Sequence, residues 1–125
     1  MKKLHIAATD ETPEVHFDPH DGSILLRGTS MPEDPLGFYE PLESWMTEFV
    51  ESDPGIVDAE IHLTYFNSTS AKRIFHLLLQ LEDIKFGGGK VHVVWKYNDG
   101  DELMQMKGEE IADMLEIPVK LVKAE

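Results

Sequence analysis

Apolar and polar residues alternate over two short stretches near the start of the chain. In "TPEVHFDPHDGSILLRG", Val15 and Phe17 alternate with polar neighbours, and the residues of "SILLRG" do the same. A period of two marks a half-buried strand. Between the stretches, "DPHDG" supplies turn chemistry: Pro19 fixes φ, and Asp21-Gly22 suits a tight turn. The pattern predicts a β-hairpin. The spacing then changes. Leu42, Trp45, Met46, Phe49 and Val50 recur at intervals of three and four, which builds the apolar stripe of a helix. Pro41 is tolerated in a first turn, so the regular helix is predicted to start near Glu40 and to stop at "SDPG".

The strand and helix patterns then alternate. "IVDAEIHLTYF" reads as a strand, with Ile61, Leu63 and Tyr65 on one side and His62, Thr64 and Phe66 on the other. Both sides are largely uncharged, which predicts a central strand covered on two faces. "STSAKRIFHLLLQLEDIKF" reads as a helix whose inner stripe is Ile74, Leu77, Leu78 and Leu81, ended by Gly87–Gly89. "KVHVVWKY" is a further strand. "NDGDELMQMKGEEIADML" opens with turn residues, then acids, then Met104, Ile111, Met114 and Leu115, which suggests a short helix weakened by Gly108. "IPVKLVKA" is a short last strand placed at an edge, because Pro118 cannot donate to a ladder. The order β-β-α-β-α-β-α-β predicts a single α/β domain over residues 1–125. It would hold a mixed sheet of about five strands, with about three helices in right-handed crossovers.

Charge narrows the partners. Lysine and arginine total 11 against 24 aspartates and glutamates, a formal charge of −13. Such a surface repels phosphate backbones and anionic headgroups, so neither nucleic acid nor a membrane surface is an expected partner. The absence of cysteine removes disulfides, zinc knuckles and thiol nucleophiles. The opening "MKKLHIAATDE" lacks a signal-peptide core, and no apolar run approaches the roughly 20 residues of a membrane span. A cytoplasmic protein is expected.

Few residues carry recognisable chemistry. Of the six histidines, His16 and His20 flank Asp18, while His62 and His92 lie on predicted strands. None shows a recognised ligand spacing, so no metal and no other cofactor is expected; a small metal- or ligand-binding domain is kept as an alternative. "GGGK" at Gly87–Lys90 precedes a strand and lacks the spacing of a phosphate loop. No G-x-S-x-G nucleophile motif occurs, and no enzymatic activity is expected. Asn67-Ser68-Thr69 matches the glycosylation pattern, which carries no weight without a secretory signal.

The hydroxyl run in "YFNSTS", residues 65–70, is different. Thr69 or Ser70 suits an N-cap, but one cap needs one hydroxyl and three are present. The run lies at the carboxyl end of a central strand, where sites in open α/β sheets tend to lie. A phosphate there would meet free N–H groups and the positive end of a helix dipole, with Lys72 and Arg73 in the first turn to pair with it. It would add about two negative charges to a small patch and so change what docks there.

Five stretches together carry a resemblance that spans about Thr12 to Val122. They are Thr12-Pro13-Glu14, "GTSMPEDP" at Gly28–Pro35, "LTYFNSTSAK" at Leu63–Lys72, "VHVVWKY" at Val91–Tyr97 and "DELMQMKGEE" at Asp101–Glu110. In these the chain resembles the SiaC family of bacterial regulatory phosphoproteins. The resemblance implies a STAS-like fold and phosphorylation of the hydroxyl residue directly after the motif asparagine, here Ser68, with Thr69 and Ser70 as alternatives. The family commonly has Thr-Ser-Ser where this chain has Ser-Thr-Ser. The implied partners are a serine/threonine kinase of the histidine-kinase-like ATPase type, a PP2C-type phosphatase and a GGDEF diguanylate cyclase that the unphosphorylated form activates. Asn67, Thr69, Ser70, Lys72 and Arg73 would shape the phosphate site, and Met31, Pro32 and Glu33 would help contact partners. A STAS-type anti-sigma-factor antagonist is the alternative output.

Overall fold

The computed structural model describes residues 1–124. The elements run β1 (Leu4–Ile6), β2 (Glu14–Asp18), β3 (Ser23–Ser30), α1 (Pro35–Glu51), β4 (Ile56–Phe66), α2 (Ser68–Phe86), β5 (Lys90–Asn98), α3 (Glu102–Met114) and β6 (Val119–Ala124). The strands form one mixed sheet in the order β1-β2-β3-β4-β5-β6. The first three are antiparallel neighbours, and β3 to β6 run parallel. The predicted alternation is present, with one more strand than expected. β1 is three residues long, too short to display a period of its own, and pairs with β2.

Topology decides which face is covered. Each of the crossovers β3-α1-β4, β4-α2-β5 and β5-α3-β6 steps to the next strand in the same direction. Right-handed crossovers that never reverse place every helix on one side of the sheet. β4 is accordingly buried on one face only, at Val57, Ala59, Ile61 and Leu63, in contrast to the two-face covering predicted from its uncharged sides. Those residues join Val15, Phe17, Ile24, Leu26, Val91, Val93 and Trp95 beneath the helices. The other face is open, and carries Glu14, His16, Arg27, Glu60, His62 and His92 at the alternate positions.

Irregularities at strand and helix ends move several residues from their predicted places. Opposite Gly28/Thr29 the register of β4 slips, so that Leu63 pairs with Gly28 and Tyr65 with Thr29. The unpaired Thr64 is a bulge residue, and everything beyond it changes face. Tyr65, predicted to share the side of Ile61 and Leu63, is exposed, and Phe66 turns into the core. Helix α1 starts at Pro35, well before Glu40, because the Asp34 carboxylate caps it by accepting from the Gly37 N–H at 3.0 Å. Pro41 then lies inside the helix on its exposed side.

Helix α3 is continuous through Gly108, which is buried against the indole of Trp95; any Cβ there would collide with the ring. Close approach therefore outweighs the intrinsic helix cost of glycine at this position. Of the apolar residues that suggest this helix, Met104, Ile111 and Leu115 are buried and Met114 is exposed. The loop before β6 is tied back to α2 by Glu82, a buried carboxylate that accepts from the backbone N–H groups of Glu116 and Ile117. No helix among the described residues is long and apolar enough to cross a membrane.

Candidate functional site

The hydroxyl run sits where β4 gives way to α2. Asn67 has extended backbone (φ −86°, ψ 174°), and its Oδ1 accepts from the Ser70 N–H at 2.9 Å. Asparagine is thus the N-cap, in place of the predicted Thr69 or Ser70. All three hydroxyl residues fall inside the first turn, with Ser68 at its first position. The Asn67 N–H donates to the Ser30 carbonyl at 3.1 Å, which seats the cap against the end of β3.

The three hydroxyls face different surroundings. Ser70 is fully buried, and its Oγ accepts from Ser30 Oγ at 2.8 Å. Ser30 Oγ in turn lies 2.5 Å from Tyr39 Oη. Because Ser30 gives its one proton to Ser70, Tyr39 donates to Ser30, and a relay of hydroxyls links α1, β3 and α2. Burial pushes the Tyr39 phenol above its usual range, which keeps it a neutral donor. Ser70 is therefore consumed by the core and has no exposed surface. Ser68 and Thr69 are both exposed. Their N–H groups have no partner among the described residues, as expected for the first positions of a helix.

The two cations predicted to flank a phosphate part ways. Arg73 points to α1, where its Nη1 meets Glu43 Oε1 at 3.2 Å with both side chains mostly covered. Lys72 is exposed and four residues after Ser68, so the two lie on one helix face. In the loop joining β3 to α1, Met31 and Glu33 are exposed, but Pro32 is buried and offers no surface to a partner. Met31 follows directly on Ser30, to which Asn67 is bonded, so this loop borders the hydroxyl run.

A groove of about 250 Å³ opens between α2 and α3, lined by Phe66, Ala71, Lys72, Phe75, Lys107, Glu110, Ile111 and Met114. The bulge in β4 delivers Phe66 to its floor, and the Lys107 ammonium stands 5.1 Å from the centre of that ring. Of the groove residues, Lys107 lies in the "DELMQMKGEE" stretch with no role assigned to it, and Phe75 could have been suggested only by the helical spacing of α2. The histidines predicted on strands are not brought together. His92 is opposite Asp58 and His62 opposite Lys96, which sets them four residues apart, roughly 13 Å along the strands. His62 instead bonds Asn98 through Nε2 at 2.9 Å.

Comparison with known proteins agrees with this architecture. The crystal structure of apo-SiaC from Pseudomonas aeruginosa superposes with a TM-score of 0.91 at 26% identity, over 99% of this chain and 100% of that one. A second is the crystal structure of the diguanylate cyclase SiaD in complex with its activator SiaC, from the same organism. It matches with a TM-score of 0.91 at 26% identity, over 97% of this chain and 99% of that one. An uncharacterized protein of Pseudomonas aeruginosa (strain UCBPP-PA14) is 27% identical over 118 residues, 94% of each chain. Residues 6–124 match the family described as SiaC family regulatory phosphoprotein. With its mixed sheet, its capped hydroxyl turn and a family match over nearly its whole length, the chain belongs to the SiaC family of regulatory phosphoproteins.

Proposed function

We propose that the protein is a non-enzymatic phospho-switch in cyclic di-GMP signalling. A serine/threonine kinase of the histidine-kinase-like ATPase type phosphorylates Ser68, and a PP2C-type phosphatase hydrolyses the ester. The free form binds and activates a GGDEF diguanylate cyclase and so favours aggregation or biofilm growth. The observation that carries this reading is the position of Ser68. It is an exposed hydroxyl at the first turn of α2, one turn from Lys72 and the rim of the apolar groove. Thr69, the other exposed hydroxyl of the run, is the second candidate acceptor. The solved relative bound to a diguanylate cyclase supports the choice of output.

The switch works by local charge. In the transfer, Ser68 Oγ forms the new bond to the γ-phosphorus of ATP as the bond to ADP breaks, and the kinase takes the hydroxyl proton. The phosphate carries about −1.5 to −2 charges and is favoured by the helix dipole and the free N–H groups of Ser68 and Thr69. Lys72 is the side chain placed to pair with it. Without phosphate, the groove offers Phe66, Phe75 and Ile111 to an apolar segment of the cyclase, with Met31 and Glu33 at the adjoining loop. With phosphate, docking has to desolvate a dianion at the rim, which is costly unless it is paired.

Cyclic di-GMP synthesis by the cognate GGDEF cyclase, measured with and without this protein, tests the output. Synthesis is expected to rise with the unphosphorylated form, and phosphorylation is expected to weaken binding at least about tenfold, roughly 1.4 kcal/mol. If the protein neither binds the cyclase nor raises synthesis, and a pull-down captures a sigma-regulating kinase complex instead, the output is that of an anti-sigma-factor antagonist.

A further inference from the structure

We propose that the open face of the sheet carries a binding site for a zinc-class divalent ion, formed by His5, Glu14 and His16. The site follows from two periodicities. On β2, Glu14 and His16 are two residues apart and therefore share a face, opposite to the buried Val15 and Phe17. On β1, His5 lies directly across from His16. Leu4 and Ile6 on either side of it pack on the core, so His5 points to the open face as well.

The geometry brings three donors suited to such an ion, two imidazoles and a carboxylate, close together. One ligand atom from each residue lies within 4.8 Å of the other two. The two imidazoles stack with centroids 4.0 Å apart, and His16 Nε2 is 2.9 Å from Glu14 Oε2. Zinc held at about 2.1 Å by nitrogen and oxygen donors needs them roughly 3.4 Å apart in a tetrahedron. Bringing both imidazole lone pairs onto one ion requires the exposed rings of His5 and His16 to turn out of their stack.

The carboxylate is prepared for the role. Arg27 donates to Glu14 Oε1 from Nε at 3.1 Å and from Nη2 at 2.8 Å, which fixes the group and leaves Oε2 facing the histidines. Such outer partners orient metal-ligating carboxylates. Two imidazoles with one carboxylate match zinc, nickel and copper better than magnesium or calcium. The fourth position would be water, so binding would be exchangeable. The negative charge of the whole chain favours any cation at its surface, and here the ion would clip the short edge strand β1 to β2. The site stands on the open face and involves none of the residues of the phosphate switch.

Calorimetric titration of the untagged full chain with ZnCl2 at neutral pH tests the proposal. One ion per chain is expected to bind. His5→Ala and His16→Ala are each expected to weaken binding at least about tenfold, whereas His20→Ala and His92→Ala leave it unchanged. Thermal unfolding in EDTA should be the same for wild type and the exposed-site variant His5→Ala, and zinc should raise the midpoint of wild type only. Absence of binding, or binding that survives both His5→Ala and His16→Ala, would overturn the site.

Discussion

Ser68→Ala is expected to fold normally, to bind and activate the cyclase to the extent expected of the wild type, and to be insensitive to the kinase. The stability part follows from exposure. The Ser68 hydroxyl makes no hydrogen bond among the described residues, and the helix is capped independently by Asn67. Alanine is a better helix former than serine, so the change should stay within about 0.5 kcal/mol of wild type. The functional part follows from the loss of the acceptor oxygen. Cyclase activity should remain high whether or not kinase and Mg-ATP are present, whereas the wild type is expected to be switched off by them. A folded Ser68→Ala protein that no longer binds the cyclase would show that the hydroxyl itself is a docking contact, and the charge-switch account would fail.

Trp95→Ala is expected to lower stability by about 3–5 kcal/mol, a large share of the stability of so small a domain. Trp95 is fully buried on β5, and its Nε1–H donates to the Met104 carbonyl at 3.1 Å. Phe66 meets it edge to face at 6.0 Å, and Gly108 of α3 lies against the indole. One side chain thus holds α3 to the sheet and fixes the ring that floors the groove. Urea denaturation would measure the loss as a drop in midpoint, and cyclase binding at a temperature where the variant is still folded should weaken with it. A change below about 1 kcal/mol would mean that α3 is anchored by other contacts.

Much of this arrangement is legible from residue spacing, and what is not has identifiable causes. The hairpin, the two long helices and the alternation after them follow from periods of two and three-to-four that persist for several repeats. β1 has three residues and shows no period, so the partner of His16 was invisible, and with it the histidine cluster. The side assignment of Tyr65 and Phe66 failed because a bulge inserts one residue without leaving a pattern in the sequence. The two-face covering of β4 failed because apolar content reports neighbours poorly when long polar side chains and histidines fill an open face; only the direction of successive crossovers decides it.

The candidate site was legible to a similar degree. Its place at the start of α2 was readable from the hydroxyl run and the helical pattern behind it. The division of labour within the run was not, because it depends on tertiary partners. Ser30 and Tyr39 lie 40 and 31 positions away from Ser70 in the chain, and they draw that hydroxyl inward. Arg73 is likewise diverted to Glu43 on α1, while Lys72 remains beside Ser68. Ser68 and Thr69 among the three hydroxyls, and Lys72 of the two cations, are thus the exposed groups at this turn.

The central claim is that Ser68 is the phosphate acceptor. The direct measurement is incubation of the purified protein with its cognate kinase and Mg-ATP, followed by phosphosite mapping by mass spectrometry. The account predicts a single phosphate on Ser68 and none on the buried Ser70. Phosphate on Thr69 or Ser70 in place of Ser68, or a protein left unmodified throughout Asn67–Ser70, would contradict it.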